Sequence, residues 1–188
     1  MSYDIVKNIS IKNRTITLAA NNIRPITYST CKANSPSDEA FIKFVLVNAL
    51  WGNFHFQKNK NLLKFILALS KYEDEVDEEV REDIYNKVWN SYDYKTEKYK
   101  YTEAERVEAT QKLGDILYNL YSSIELTKGK YIINFHNGYA YISSIRKASY
   151  SYTNNKNNAK VYNTLEEAML ANKFLERYFT FNTKVEAL

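Results

Sequence analysis

Near-alternation of apolar and polar residues opens the chain. Ile5, Ile9, Ile11, Ile16 and Leu18 are spaced as on strands, and Lys12-Asn13-Arg14 separates them, which predicts a β-hairpin. A loop through Asn21-Asn22 and Arg24-Pro25 follows. At Ser35-Pro36-Ser37-Asp38 the pattern changes. A serine, a proline at the first helical position and acids behind it mark a helix start, with Ser35 expected to cap. That helix should bury Phe41, Phe44, Val45 and Ala49, run to Leu50 or Trp51, and stop at Gly52.

Asn53–Gln57 reads as a short bridge, extended or looped. A second apolar helix is expected over about Leu62–Leu69. A third should cover about Val76–Trp89 with Val80, Ile84, Val88 and Trp89 inward. Asn90–Tyr101, NSYDYKTEKYKY, has no apolar period apart from its tyrosines and reads as an exposed connector. Thr102-Glu103-Ala104-Glu105 is a capping box, in which the hydroxyl and the Glu side chain each satisfy one free amide. The helix behind it carries Val107, Leu113, Ile116, Leu117, Leu120 and Ile124 on one stripe, and Gly114 permits a close helix contact.

Beyond Lys128-Gly129 the period returns to two. Strands are expected at Tyr131–Phe135, Tyr139–Ile145, Ala148–Tyr152 and Ala159–Tyr162, with a hairpin turn at His136-Asn137-Gly138. Thr164–Glu167 is a second capping box, opening a helix with Leu165, Ala168, Met169, Leu175 and Tyr178 on one face. The fold class is therefore α+β: an N-terminal β-hairpin, a helical middle, and a small antiparallel sheet with a terminal helix. The division expected is 1–92, a connector 93–101, and 102–188, with one compact domain as the alternative.

Charge changes this picture. The net charge is +4, yet eight acids and one base, Arg81, lie between Glu73 and Asp83. Such a run suits a solvated helix start, where the macrodipole favours carboxylates; it can also steer a charged partner. From Leu126 to Leu165 there is no Asp or Glu, but there are six bases and six tyrosines. One cysteine, Cys31, cannot form an internal disulfide, which suits a reducing cytoplasm. Met1–Asn13 has no basic region followed by an apolar core, so no signal peptide is expected, and no apolar run is long enough for a bilayer.

Candidate chemistry is sparse. His55 and His136 are the two histidines, and no Cys–His pattern, Gly-rich phosphate loop or zinc-ligand spacing accompanies them. No residue is assigned a catalytic, metal or cofactor role; a metal-dependent enzyme is the third reading. Lys128, Lys130, Tyr139, Tyr141, Arg146 and Lys147 on the basic sheet are candidate partner contacts, as single-strand binders set tyrosine platforms beside phosphate-tracking lysines. Tyr139, Tyr141 and Ser143 share one face of their strand; Ala140 and Ile142 share the other. One face must cover a helix, so these tyrosines are core residues in the competing reading. Tyr92, Tyr94, Tyr99 and Tyr101 of the connector are candidates for protein recognition, since tyrosine is enriched in adaptable binding loops.

Ile9-Ser-Ile-Lys-Asn-Arg-Thr-Ile-Thr-Leu-Ala-Ala-Asn-Asn-Ile-Arg-Pro25 resembles the opening of uncharacterised proteins from phages and mobile elements of low-GC bacteria, and Lys160–Ala168 is similar to strand–helix units common in them. Many short phage proteins of this character are anti-defence inhibitors, anti-CRISPR proteins among them. The resemblance implies a non-catalytic inhibitor that binds a bacterial defence effector, protein or nucleoprotein, in the host cytoplasm, without a cofactor or membrane. The alternative is a nucleic-acid-binding accessory protein that uses the Tyr/Lys sheet.

Overall fold

The computed structural model describes residues 4–19, 26–29, 36–56, 60–135, 139–146, 149–179 and 182–188. Two units emerge, Met1–Ile124 and Glu125–Leu188. The division falls behind the long helix that begins at Glu103, and not in the tyrosine-rich segment 93–101.

In the first unit β1 (Asp4–Ser10) and β2 (Thr15–Ala19) form the expected hairpin. Its alternation is only approximate because of a bulge: Val6 pairs with Leu18 and Ile9 with Ile16, leaving Lys7 as the extra residue. Val6, Ile16 and Leu18 are buried. The third strand, β3 (Ile26–Ser29), extends the sheet beside β2, while β4 (Phe54–Phe56) pairs with β1 in parallel, making the bridge at Asn53–Gln57 extended. Cys31 lies outside the described residues.

The first helix, α1 (Asp38–Leu50), corrects the expected cap. Ser37, not Ser35, is the N-cap, and its hydroxyl accepts from the Ala40 N–H at 3.1 Å; Pro36 stands outside the helix. Gly52, at φ +77°, ends it as expected. Two of the residues expected inside are not buried: Ala49 is half-buried, and 40% of Phe44 is exposed. Helix α2 (Leu63–Glu75) reaches well past Leu69, and α3 (Glu78–Val88) follows after a break at Val76-Asp77. The acidic run is therefore shared between two helices. Asp77 caps α3 by accepting the Glu79 N–H at 2.8 Å, and Glu78 and Glu79 fill the first turn, as the helix dipole favours. Of the inward residues expected on α3, only Ile84 is buried.

The longest helix, α4 (Glu103–Ser123), starts at the expected capping box: Glu105 accepts from the Thr102 N–H at 2.7 Å and donates its own N–H to the Thr102 hydroxyl. It packs on α1, α2 and α3 through Ala109, Leu113, Gly114 and Leu117. Gly114 faces the methylenes of Lys43, whose ammonium bridges Glu39 and Asp115. Those two carboxylates hold the Lys43 pKa above its ordinary value, Asp115 most of all. Val107, expected on the buried stripe, is instead half exposed.

In the second unit β7 (Lys128–Phe135) is central. Along one edge it meets β10 (Tyr162–Thr164) and β8 (Ala140–Arg146), with β9 (Ser149–Thr153) beyond β8. On its other edge lies β11 (Thr183–Ala187), a strand the sequence pattern did not suggest. Helix α5 (Leu165–Phe179) covers one face through Ala168 and Leu175, packing with Ile133, Phe135, Ala140, Ile142 and Tyr162. Met169 and Tyr178, expected on that face, are exposed. Thr164 accepts the Glu167 N–H at 3.2 Å, but the Glu167 carboxylate reaches the N–H of Asn163. The turn at His136-Asn137-Gly138 lies outside the described residues.

Tyr162 gives the second unit an alkaline signature. Its ring is buried, and among the described residues its hydroxyl has no hydrogen-bond partner. Burial, with a smaller push from Glu167, raises its pKa far above the ordinary 10.0. The folded chain therefore keeps a proton that the unfolded chain releases. Stability from this group is complete below about pH 10 and declines as pH rises beyond it. Tyr162→Phe should cost little at pH 7 and flatten the fall of Tm between pH 9 and 11.5. Parallel Tm profiles for variant and parent would contradict this.

Candidate functional site

Lys128, Lys130 and Tyr141 of the basic sheet share the face turned away from α5, because Tyr131, Ile133 and Phe135 alternate with the lysines along β7 and pack on the helix side. Ala140 and Ile142 face the helix and are buried, so Tyr141 lies on the opposite face, where the register sets it beside Asn134 and Thr153. Tyr139, just before β8, is 80% exposed. Of the other tyrosines of this region, Tyr131, Tyr150 and Tyr162 serve packing, while Tyr152 touches one ring and stays 60% exposed. Tyr162 is core, Tyr131 packs against it, Tyr150 meets Phe179 edge-on at 4.9 Å, and Tyr152 meets Phe135 at 5.5 Å. Lys128 and Lys130 are exposed on β7; Arg146 ends β8, and Lys147 lies outside the described residues.

Nor is the acid-free stretch free of carboxylates in space. Lys156 is ion-paired with Glu186 of β11, which also accepts from Asn134 at 2.9 Å. Lys156 and then Asn134 lower the Glu186 pKa, and Glu186 raises that of Lys156. Glu166 accepts the Thr127 N–H at 2.9 Å. Lys160 sits over the Tyr162 ring at 5.0 Å. The sheet thus presents Lys128, Lys130, Tyr139 and Tyr141, with its remaining described charge partly neutralised.

The connector is ordered. Tyr92–Asp93 (β5) and Lys98–Tyr99 (β6) form a miniature antiparallel hairpin, with Tyr92 opposite Tyr99. Asp93 accepts the Lys95 N–H at 2.9 Å; that bond, followed by one from the Thr96 side chain, lowers its pKa. Glu97 takes positive φ, +53°, at the turn. The Tyr92 ring meets Tyr94 at 5.0 Å and Tyr99 at 5.2 Å, both edge-on, and the Arg106 guanidinium lies 3.8 Å from the centre of Tyr99. Tyr94 is 86% exposed and Tyr99 is more than half exposed; Tyr92 and Tyr101 are half-buried.

Arg106 leads from this hairpin into a larger aromatic surface. It lines an open groove of about 350 Å³ with Val88, Val107 and Trp51. Trp51 also lines a groove of about 620 Å³ between α1 and α4, with Phe44, Val47, Thr110 and Gln111. Trp51 meets Trp89 edge-on at 5.6 Å, and Tyr85 stacks on Trp89 at 5.8 Å. Those two border a third groove of about 580 Å³, with Leu50, Tyr72, Glu78 and Glu82. Both tryptophans of the chain therefore sit on one surface of the first unit, flanked by exposed Phe44, Tyr85 and Val107. The sequence pattern placed Phe44, Val107 and Trp89 inward. A usable signal was present: each tryptophan stands at a helix C-cap, where the stripe runs out.

Chemically this surface is suited to binding. Partly exposed Trp, Tyr and Arg are the side chains that dominate interface energetics once a partner covers them. His55 is exposed on β4, and His136 lies outside the described residues. Among the described residues no three His, Cys, Asp or Glu converge to hold a metal ion, and no helix is long and apolar enough to cross a membrane.

Fold and surface together define a mixed α+β protein with an open aromatic surface on its first unit. No protein-family model, curated protein or solved structure matches the chain.

Proposed function

We propose that this chain is a non-catalytic binding protein of phage type that seats its aromatic face on a bacterial defence effector and blocks it, in the manner of an anti-CRISPR inhibitor, within the host cytoplasm. The observation that carries the reading is the pair of aromatic runs Tyr94–Tyr92–Tyr99–Arg106 and Trp51–Trp89–Tyr85, joined by the groove that Arg106 and Trp51 share. Rigid aromatic groups bordering open grooves give large contact area at low entropic cost, which is what a blocking protein needs. The resemblance of Ile9–Pro25 to phage and mobile-element proteins supplies the class of partner.

The test is inhibition against molar ratio. Purified chain is added to defence nuclease complexes, assembled with and without their nucleic acid, in the presence and absence of EDTA. Inhibition should saturate at a fixed ratio, survive EDTA, and accompany a complex that forms without nucleic acid. Inactivation well below one equivalent with an altered product would mean an enzyme. A salt-dependent shift of naked DNA or RNA, with no protein complex, would favour the nucleic-acid reading.

A further inference from the structure

The groove between α2 and α3 carries a charge pattern that the other two lack. Its apolar lining is Leu50, Tyr72, Tyr85 and Trp89, and its acidic lining is Glu73, Glu78 and Glu82. Neighbouring carboxylates of the same run are already occupied: Glu75 pairs with Lys71 and Asp83 with Lys87. Glu73, Glu78 and Glu82 are exposed and make no salt bridge to any described residue.

One cation is present in the lining, Arg81. Its Nε donates to the Val76 carbonyl at 3.1 Å, which ties the guanidinium to the α2–α3 corner. Three carboxylates thus face the groove against one guanidinium. In the free chain this arrangement works against itself. Glu78 and Glu82 are four apart on one helix, a spacing at which like charges repel. Glu73 stands in the last turns of α2, near the negative end of the helix dipole. With one guanidinium against three carboxylates, the groove has room in its charge balance for a further cation on binding.

Resting on the reading of this face as a docking surface, we infer that the α2–α3 groove receives an Arg or Lys side chain of the partner protein. The methylene stem would lie along Leu50 and Tyr72, and the charged head would lie against the Tyr85 and Trp89 rings and the three carboxylates. Charge complementarity selects this occupant. A cation over an aromatic face is attracted by the ring quadrupole, an acidic side chain or a phosphate would be repelled, and the surrounding acids would steer a basic surface toward the groove.

The full chain, labelled with ¹⁵N, is titrated with hexa-arginine and, separately, with hexaglutamate, while the indole N–H signals of Trp51 and Trp89 are followed. Hexa-arginine should shift the Trp89 signal saturably, and hexaglutamate should not. The variant Glu73→Gln/Glu78→Gln/Glu82→Gln should bind hexa-arginine at least tenfold more weakly. Glu75→Gln/Glu79→Gln/Asp83→Gln, with the same change in net charge, should bind within threefold of the parent. Equal losses in the two variants, or a Trp89 signal that does not move, would overturn the inference. That outcome would leave the wider docking reading to its own test at Trp51 and Val107, which do not line this groove.

Discussion

Trp51→Ala should weaken binding to the partner protein by roughly a hundredfold, about 3 kcal/mol, the range of an aromatic hot spot at the centre of an interface. Trp51 is singled out because it borders two of the three grooves and touches Trp89, which borders the third. Removing it opens the two grooves that it borders. Some loss of stability will accompany the change, since the Trp89 edge contact disappears. Val107→Glu separates binding from folding: Val107 is half exposed and lines the groove that Arg106 and Trp51 share, so a carboxylate there is solvated in the free chain and trapped in the complex. It should lower affinity at least tenfold with Tm nearly unchanged. Isothermal titration beside thermal melts reads both. Unchanged affinity in both variants would remove the aromatic face from the interface.

The second large effect concerns the scaffold beneath that face. Leu117→Ala should cost about 3 kcal/mol, because the side chain is fully buried on a helix that packs against three others, leaving little freedom to collapse around the cavity. A chain of this size should lose roughly 10 °C in Tm. Partner affinity per folded molecule should hold, since Leu117 lines none of the three grooves. A variant that melts like the parent would mean that α4 is not the packing centre of the first unit.

Much of the architecture was legible because it rests on local chemistry. The Thr102–Glu105 box, the Gly52 stop and the hairpin at Lys12-Asn13-Arg14 are short-range devices, and each performs in the structure as its residues imply. What the pattern missed is set by distant neighbours. Strand β11 has Val185 as its one large apolar residue and exists through its ladder to β7. The hairpin at Tyr92–Tyr99 has strands of two residues, too short for a period, and is held by ring contacts and the Asp93 carboxylate. For the site, the connector tyrosines were legible as exposed aromatic groups. The aromatic face was not, because an amphipathic stripe gives no sign of where it outruns its neighbours: Phe44, Trp89 and Val107 continue apolar stripes yet stand at the edges of the packing. The charge of the basic sheet was only partly legible, since the sequence could not say that Glu186, about thirty residues on, would fold back onto Lys156.

If the partner sits on the aromatic face of the first unit, hydrogen–deuterium exchange of the chain, free and in the inhibited complex, will show it. Exchange should slow in peptides spanning residues 44–51, 85–94 and 99–111, with those spanning 128–146 unchanged. Protection confined to 128–146, with the Trp51 and Trp89 peptides exchanging as in the free chain, would contradict it and assign binding to the lysine–tyrosine sheet instead.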